Sequence, residues 1–473
     1  MNFGGNYMDK REKQILKLRK AKEKPQIGSA FVFLFIMLTV VYIVDEIASN
    51  MTSTMQPYVI FDLFKIPGAD ILSDEYASAL GTMTAAAMPG YAFCLLLPLY
   101  KSLADRVGRK PLLIINTAGL AMGLFICMTA KHFVVFVLGM LLIQFMMPND
   151  MQVIYIMETA PSKHRAKLCS VSKAIALVSV SLIGVLRSAF YDPADVTSWR
   201  KVYLVPVLIG VCVVALCIPF VKETPVFIDK RLALLEGEKE EKAKDENGGF
   251  INAVRYIFKT KQLRFIAITC FVFYFATGIT SHYATILEAS SNVGSLTKES
   301  IDKVIIFFPF INGIVTFLSG FLADAFGRKK SSVILCCISA VGIFMFLWGA
   351  KSGWNPYLIG TGYGLYIGGL WSTSDTLYIM LPGESTPTNL RSSVIGAMSL
   401  FAVGGMLFNL SIGLFGIKLI GAENLGTVCL CICLPAMVIS LLILTFKVKE
   451  TIGTDLDSIK AEENAGEKEE ALS

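Results

Sequence analysis

The sequence predicts an all-α polytopic membrane protein, with twelve transmembrane helices in two pseudo-symmetric six-helix halves. Three observations lead there. Of 473 residues, 54% are hydrophobic and only 17% charged, against about 45–50% and about 25% in a soluble domain. The mean hydropathy is +0.61, and the apolar residues fall in blocks near the ~20 residues that cross a bilayer. Several short charged motifs also occur twice, in the same order along the chain.

In the first half the blocks place spans at 28–52, 79–99, 111–130, 133–159, 167–190 and 201–221. In the second half they lie at 264–287, 302–323, 331–350, 357–382, 392–417 and 425–447. The domains follow: a polar leader at 1–27, a six-helix half at 28–221, a linker at 222–263, a second half at 264–448 and an acidic tail at 449–473. The first block contains Asp45 and Glu46 and no small-residue cleavage site, so a removable signal peptide is not expected. The linker "DKRLALLEGEKEEKAKDENGGF" reads as a short surface helix followed by a flexible stretch. The tail reads as disordered.

Orientation follows from Lys and Arg. Residues 1–27 hold eight of them, the connection 100–110 holds four and the central stretch 222–264 holds ten, while the connections on the other face hold one or two each. This bias places both termini and the linker in the cytoplasm of a cell-membrane protein. The net charge of +6 is distributed in those same clusters, so topology explains it and no nucleic-acid partner is expected. The 11 cysteines follow no metal-ligand spacing, and Cys336, Cys337, Cys429, Cys431 and Cys433 lie inside apolar blocks. No disulfide framework, metal or cofactor is expected. There is no G-x-x-x-x-G-K-S/T loop for ATP and no nucleophile–base constellation, so neither an ATPase nor an enzyme is expected.

The repeat is specific. "LADRVGRK" at 103–110 recurs as "LADAFGRK" at 322–329, "ETAPSKHR" at 158–165 as "ESTPTNLR" at 384–391, and "VKETP" at 221–225 as "VKETI" at 448–452. Order and near-constant offset imply homologous halves related by an axis along the membrane normal, with a site between them near mid-membrane. The connection 100–110 is a tight turn in which Gly108 gives backbone freedom. Arg109 and Lys110 fall at a helix start, where the dipole disfavours positive charge, so they call for acidic partners. Asp105 and Glu158 are the candidates, with Asp324 and Glu384 beside Arg328 and Lys329 in the second half.

The two turns resemble the signature of the major facilitator superfamily, roughly G-x-L-A-D-x-x-G-R-K. Gly320 supplies the leading glycine of the second copy, and Lys101 stands in its place in the first. The E-x-x-P-x-x-x-R copies (Glu158, Pro161, Arg165 and Glu384, Pro387, Arg391), Tyr155, "SWRKVYLVP" and the KET sequences are similar to the sugar porter and organic-ion porter branch. The resemblance covers about residues 28–452. It implies secondary transport by alternating access. It also implies a cytoplasmic gate of Asp105, Arg109, Glu158, Arg165, Asp324, Arg328, Glu384 and Arg391, latching the halves while the site faces outward. Three sugar-porter features are missing: an arginine near Leu138 or Gly139, a Q-L-S run in the seventh span and a G-P-x-x-W pattern in the tenth. A hexose is thereby not favoured.

Ionisable residues within spans are costly and usually functional. Asp45, Asp150 and Asp375 are the candidates for carrying a proton. Asp45 and Glu46 point about 100° apart, so they do not share a cavity spot; one or both standing at the outer mouth is the competing reading. Asp150 lies eight residues before Glu158 and Asp375 nine before Glu384, so both are ~12–14 Å in from the cytoplasmic helix ends. Lys173 is placed to pair with Asp150, for function or for packing alone. Asn149, Gln152, Lys173, Tyr274, Thr277, Trp371, Ser374 and Tyr378 are the candidates for binding substrate, since hydroxyls, amides and ring faces suit a small polar metabolite. His282 is expected at the outer interface. The excess of buried acid favours a neutral or cationic substrate or proton coupling, and Lys173 and Arg187 leave an organic acid open. The expected function is proton-coupled symport of a small polar metabolite by a monomer in the bilayer. The rivals are an organic-cation exporter on the same scaffold and a nutrient sensor that binds without transporting.

Overall fold

The first span runs well past the end that hydropathy suggests. Ser29–Thr54 is helical, the chain breaks at Met55, and Gln56–Leu63 continues with Pro57 in its first turn, where a missing N–H costs nothing. The computed structural model describes residues 29–96, 107–147, 151–160, 165–236, 250–386 and 390–451, with Ile15, Arg19 and Leu103. All twelve spans are helical over their described residues, and no strand occurs among them.

The second span starts at Asp74, where Ser73 accepts a hydrogen bond from the Tyr76 N–H and Asp74 and Glu75 fill the first turn; cap and charge both satisfy the helix start. The third is Arg109–Thr129, the fourth Phe133–Met146 with Met151–Thr159, the fifth Arg165–Ser179 with Ser181–Phe190, and the sixth Trp199–Phe220. Pro225–Glu236 and Phe250–Lys259 are linker helices. The seventh span is Lys261–Phe273 and Gly278–Asn292, joined by a tight 3₁₀ turn at Tyr274–Thr277. Lys298–Phe326 and Arg328–Ser352 are the eighth and ninth. The tenth is Pro356–Asp375, then a π-helical turn at Thr376–Met380, then Leu381–Glu384. Arg391–Ile420 and Leu425–Lys447 complete the bundle.

Nine of these helices are long and apolar enough to cross a membrane on their own hydropathy, judged over the described residues. The tenth falls short because it carries glycines, tyrosines, Ser372, Thr373, Ser374 and Asp375, most of them buried against other helices. Conversely, large apolar side chains such as Val134, Leu208, Ile314 and Phe446 remain exposed. In water such a surface would aggregate; in a bilayer, lipid is its solvent.

Between the halves, the fifth span packs along the eighth and the second along the eleventh. Within the second half the ninth and tenth spans approach closely. A Cβ at Gly342 would lie 2.4 Å from the Tyr366 backbone nitrogen, and one at Gly362 2.7 Å from that of Phe346, so only glycine allows these backbones to touch. The twelve-helix, two-half architecture expected from sequence is the one observed.

Candidate functional site

One end of the bundle carries the two glycine turns, and there the repeated motifs assemble into the same cluster twice. Gly108 (φ 114°) and Gly327 (φ 94°) take a backbone conformation closed to most side chains. In the first half Glu223 accepts from the backbone N–H groups of Arg109 (2.9 Å) and Lys110 (3.2 Å). In the second, Glu450 accepts from those of Lys329 (3.1 Å) and Lys330 (3.3 Å). Each KET glutamate thus caps the helix that the glycine turn begins. Arg109 pairs with Glu158 at 2.9 Å and Arg328 with Glu384 at 3.0 Å. Thr224 donates to Glu158 and Thr451 to Glu384, both at 2.5 Å.

The two caps differ in charge balance. Burial pushes the Glu223 carboxyl above the usual carboxylate range, against the pull of three backbone N–H bonds. For Glu450, burial also acts upward, but the backbone N–H groups of Lys329, Thr451, Lys330 and Arg328 outweigh it and hold the carboxyl below that range.

In the middle of the bundle, the Lys173 ammonium donates to Asp375 at 3.0 Å, with side chains 28% and 51% exposed. This pair joins the fifth span of one half to the tenth span of the other. Asp375 immediately precedes the π-helical turn, a feature common at functional sites. Beside it the Tyr274 and Ser374 hydroxyls share a hydrogen bond of 2.5 Å, and Trp371 and Tyr378 are partly exposed on the same helix. Tyr274 and Thr277 lie in the 3₁₀ turn of the seventh span, whose Ala276 carbonyl accepts from the Tyr366 hydroxyl at 2.5 Å. A hydroxyl from another helix therefore satisfies a carbonyl at the break, as the membrane interior requires. In the first half, Asp45 is buried and accepts from the Gln152 amide at 2.9 Å.

At the far end, opposite the glycine turns, a second set of polar contacts joins the halves. Arg187 of the fifth span is 4% exposed and pairs with Glu288 of the seventh at 2.8 Å and with Asp302 of the eighth. Its Nε donates to the Tyr58 hydroxyl at 2.8 Å, and Tyr58 donates to Glu288.

A sequence model of the major facilitator superfamily matches residues 27–410. The chain belongs to the major facilitator superfamily. Plastidic glucose transporter 4 of Arabidopsis thaliana is 23% identical over 390 residues, covering 76% of this chain and 68% of that protein. Among solved structures, the D-xylose–proton symporter superimposes with a TM-score of 0.65 at 15% identity, covering 90% of this chain and 99% of that one. Inward-open XylE, the xylose transporter from E. coli, gives 0.64 at 16% identity, with 91% and 99% covered. The nucleoside transporter NupG gives 0.62 at 14%, with 88% and 100% covered. Major facilitator proteins are transporters, and this chain is a multi-pass membrane transporter of a small molecule rather than an enzyme.

The structure brings together Lys173, Tyr274, Thr277, Trp371, Ser374, Asp375 and Tyr378, and separately Asp45 with Gln152. Asn149, Asp150 and Asp105 lie outside the described residues, as do the side chains of Arg165, Asp324 and Arg391. The described partner of Lys173 is Asp375; the expected pairing with Asp150 lies outside the described residues. Two gate pairs are described, one in each half, Arg109 with Glu158 and Arg328 with Glu384.

One expectation is corrected. His282 is not at an interface with water: it is 3% exposed, and its Nδ1 lies 3.4 Å from Gln56 Oε1. Asp45 is buried, which excludes the competing reading that put it at the outer mouth. The first span continues to Leu63, which carries the mouth farther out. The sequence reading missed the capping role of Glu223 and Glu450, although their repetition in the two KET motifs was the available signal. It also missed Tyr58, Glu288 and Asp302, which sit near helix ends and read there as solvated.

Proposed function

We propose that this transporter is a proton-coupled symporter of a small, neutral polar metabolite, a sugar or similar polyol, working by alternating access. The observation that carries the reading is the Lys173–Asp375 pair. It bridges the halves at mid-bundle, is partly open to solvent, and stands among the Tyr274–Ser374 hydroxyls and the Trp371 and Tyr378 rings. Ring faces and paired charges suit a polyhydroxylated solute, which stacks on the one and hydrogen-bonds the other. The xylose and glucose transporters among its relatives support the same class. Asp45, Asp150 and Asp375 are the proton carriers in this reading, Asp45 first, because it is buried and held by the neutral Gln152 amide. Asn149, Gln152, Thr277 and the residues around Asp375 contact the solute.

The Lys and Arg bias supports a cell membrane with the glycine turns, both termini and the linker in the cytoplasm. The acidic gate partners Asp105 and Asp324, with Arg165 and Arg391, then close that side when the site faces outward. A second reading rests on one observation. Trp371 and Asp375 are four residues apart on one helix, and an aromatic beside a carboxylate also suits an organic cation. That reading is an efflux antiporter.

The test is reconstitution in vesicles, recording proton movement on addition of sugars, organic acids and organic cations, with wild type and Asp45→Asn side by side. Inward proton flux with a sugar, lost in the variant, supports the proposal. Flux that survives moves coupling to Asp150 or Asp375. Outward exchange of protons for organic cations selects the antiporter, and equilibration of labelled sugar without proton flux rules out symport.

A further inference from the structure

The far end of the bundle is held by an arrangement that the transport site does not use. One guanidinium, on the fifth span, is shared by two carboxylates of the other half, Glu288 and Asp302. The Tyr58 hydroxyl bridges Arg187 and Glu288, and the guanidinium carbon lies 5.0 Å from the centre of the Tyr58 ring. Arg187 and the Glu288 side chain are 4% and 10% exposed. Other described polar contacts between the halves involve hydroxyl, amide and imidazole groups. They include Thr54 with Tyr283 (2.5 Å), Tyr76 with Thr285 (3.1 Å), Gln56 with Thr285 (3.1 Å) and with His282 (3.4 Å), and Tyr91 with Ser281 (3.3 Å).

We infer that Arg187 is the lock of this end, with Tyr58, Glu288 and Asp302 as its seat, and that the cluster decides which end of the transporter is open. The physical argument concerns reversibility. A buried ion pair is a poor way to hold together helices that never separate, because its attraction is largely offset by desolvation. At a seam that must open into water, the same offset is an advantage. When Arg187 and Tyr58 move away with one half and Glu288 and Asp302 stay with the other, water restores the solvation of every charge. An apolar seam would instead expose hydrocarbon each time it opened. Closed, the geometry is strict: a planar guanidinium meets two carboxylates and a ring face at once. The seam is therefore specific when shut and inexpensive to part. Uncharged hydroxyl bonds around it give register but little strength.

This inference rests on the alternating access of the superfamily and not on which solute is carried. Hydrogen exchange of the full-length protein in nanodiscs tests it, comparing wild type with Arg187→Gln, Arg187→Lys and Asp302→Asn. In Arg187→Gln, exchange in segments 54–64 and 279–292 is expected to rise by about tenfold. Exchange in segments 108–113 and 327–332, at the glycine turns, is expected to fall as the population shifts to the state closed there. Arg187→Lys keeps the charge but not the planar fork, so it is expected to restore only part of the wild-type pattern, and Asp302→Asn, which keeps the guanidinium, to lie closer to wild type. An equal rise at both ends, or a loss of thermal stability with no redistribution, would make the cluster a structural pin and overturn the inference. If Arg187→Gln does not fold, Asp302→Asn carries the same comparison, because it leaves the Arg187–Glu288 pair in place.

Discussion

Replacing Asp375 by asparagine removes one charge from an ion pair that crosses between the halves in the proposed site. At the observed separation of 3.0 Å, two unit charges attract by about 1.4 kcal/mol in bulk water and about 5.5 kcal/mol at an effective dielectric of 20. The Asp375 side chain is 51% exposed and Lys173 28%, so screening places the pair toward the lower figure, about 1–2 kcal/mol. Asparagine still offers an acceptor to the Lys173 ammonium, so the bond weakens rather than disappears. Folding should therefore suffer little, with the apparent Tm down by only a few degrees. Transport should suffer far more, by on the order of a hundredfold, if the charge itself is used in each cycle. Lys173→Gln and the double variant complete a cycle. Thermal unfolding in detergent should return a coupling energy of about 1–2 kcal/mol, and the double variant should recover Tm without recovering proton-coupled uptake in vesicles. Wild-type uptake and coupling in Asp375→Asn would refute the functional argument, and a coupling energy near zero would refute the electrostatic one.

Three further predictions concern the glycine turns. Glu450 sits below the usual carboxylate range, so its stabilising contribution is present above that range and is lost as pH falls through its own lowered value; the Tm deficit of Glu450→Gln should be full at pH 7 and shrink on acidification. Glu223 sits above the range, so its contribution is fully present at low pH and is lost as pH rises through the raised value. Glu223→Gln should therefore compare more favourably with wild type at pH 7 than at pH 4, and scanning fluorimetry across that interval reads both signs. Gly327→Ala would place a methyl group at positive φ and 2.6 Å from the Glu450 carboxylate. It should lower stability by about 1–3 kcal/mol and loosen the cap, visible as faster hydrogen exchange at Lys329 and Lys330.

Much of the architecture was readable before any coordinates. The spans are legible because hydrocarbon demands ~20 apolar residues per crossing, and the duplicated motifs announce two halves. The second span and the break at Val180 are less legible, since neither changes composition sharply. The continuation of the first span past Thr54 was hidden by its polar stretch from Ser49 to Gln56, which hydropathy reads as a mouth. That one misjudged end put His282 at the outer interface.

The site was legible as a parts list. Asp45, Lys173, Tyr274, Ser374 and Asp375 stand out because a polar residue inside a span is expensive and needs a reason. Their partners were not legible. Lys173 lies some two hundred positions from Asp375, and Arg187 about a hundred from Glu288 and Asp302. No local periodicity links residues that distant, because their proximity is fixed by how the fifth span packs against the eighth and how the tenth approaches both.

By itself, then, the sequence determined a twelve-span bundle in two halves, since chain composition and repetition answer to the bilayer one segment at a time. Only the tertiary structure decided that the repeated glutamates cap their own halves, and that Lys173–Asp375 and the Arg187 cluster tie the halves together. Those contacts depend on packing between helices, and a charge finds its partner only once both have left water.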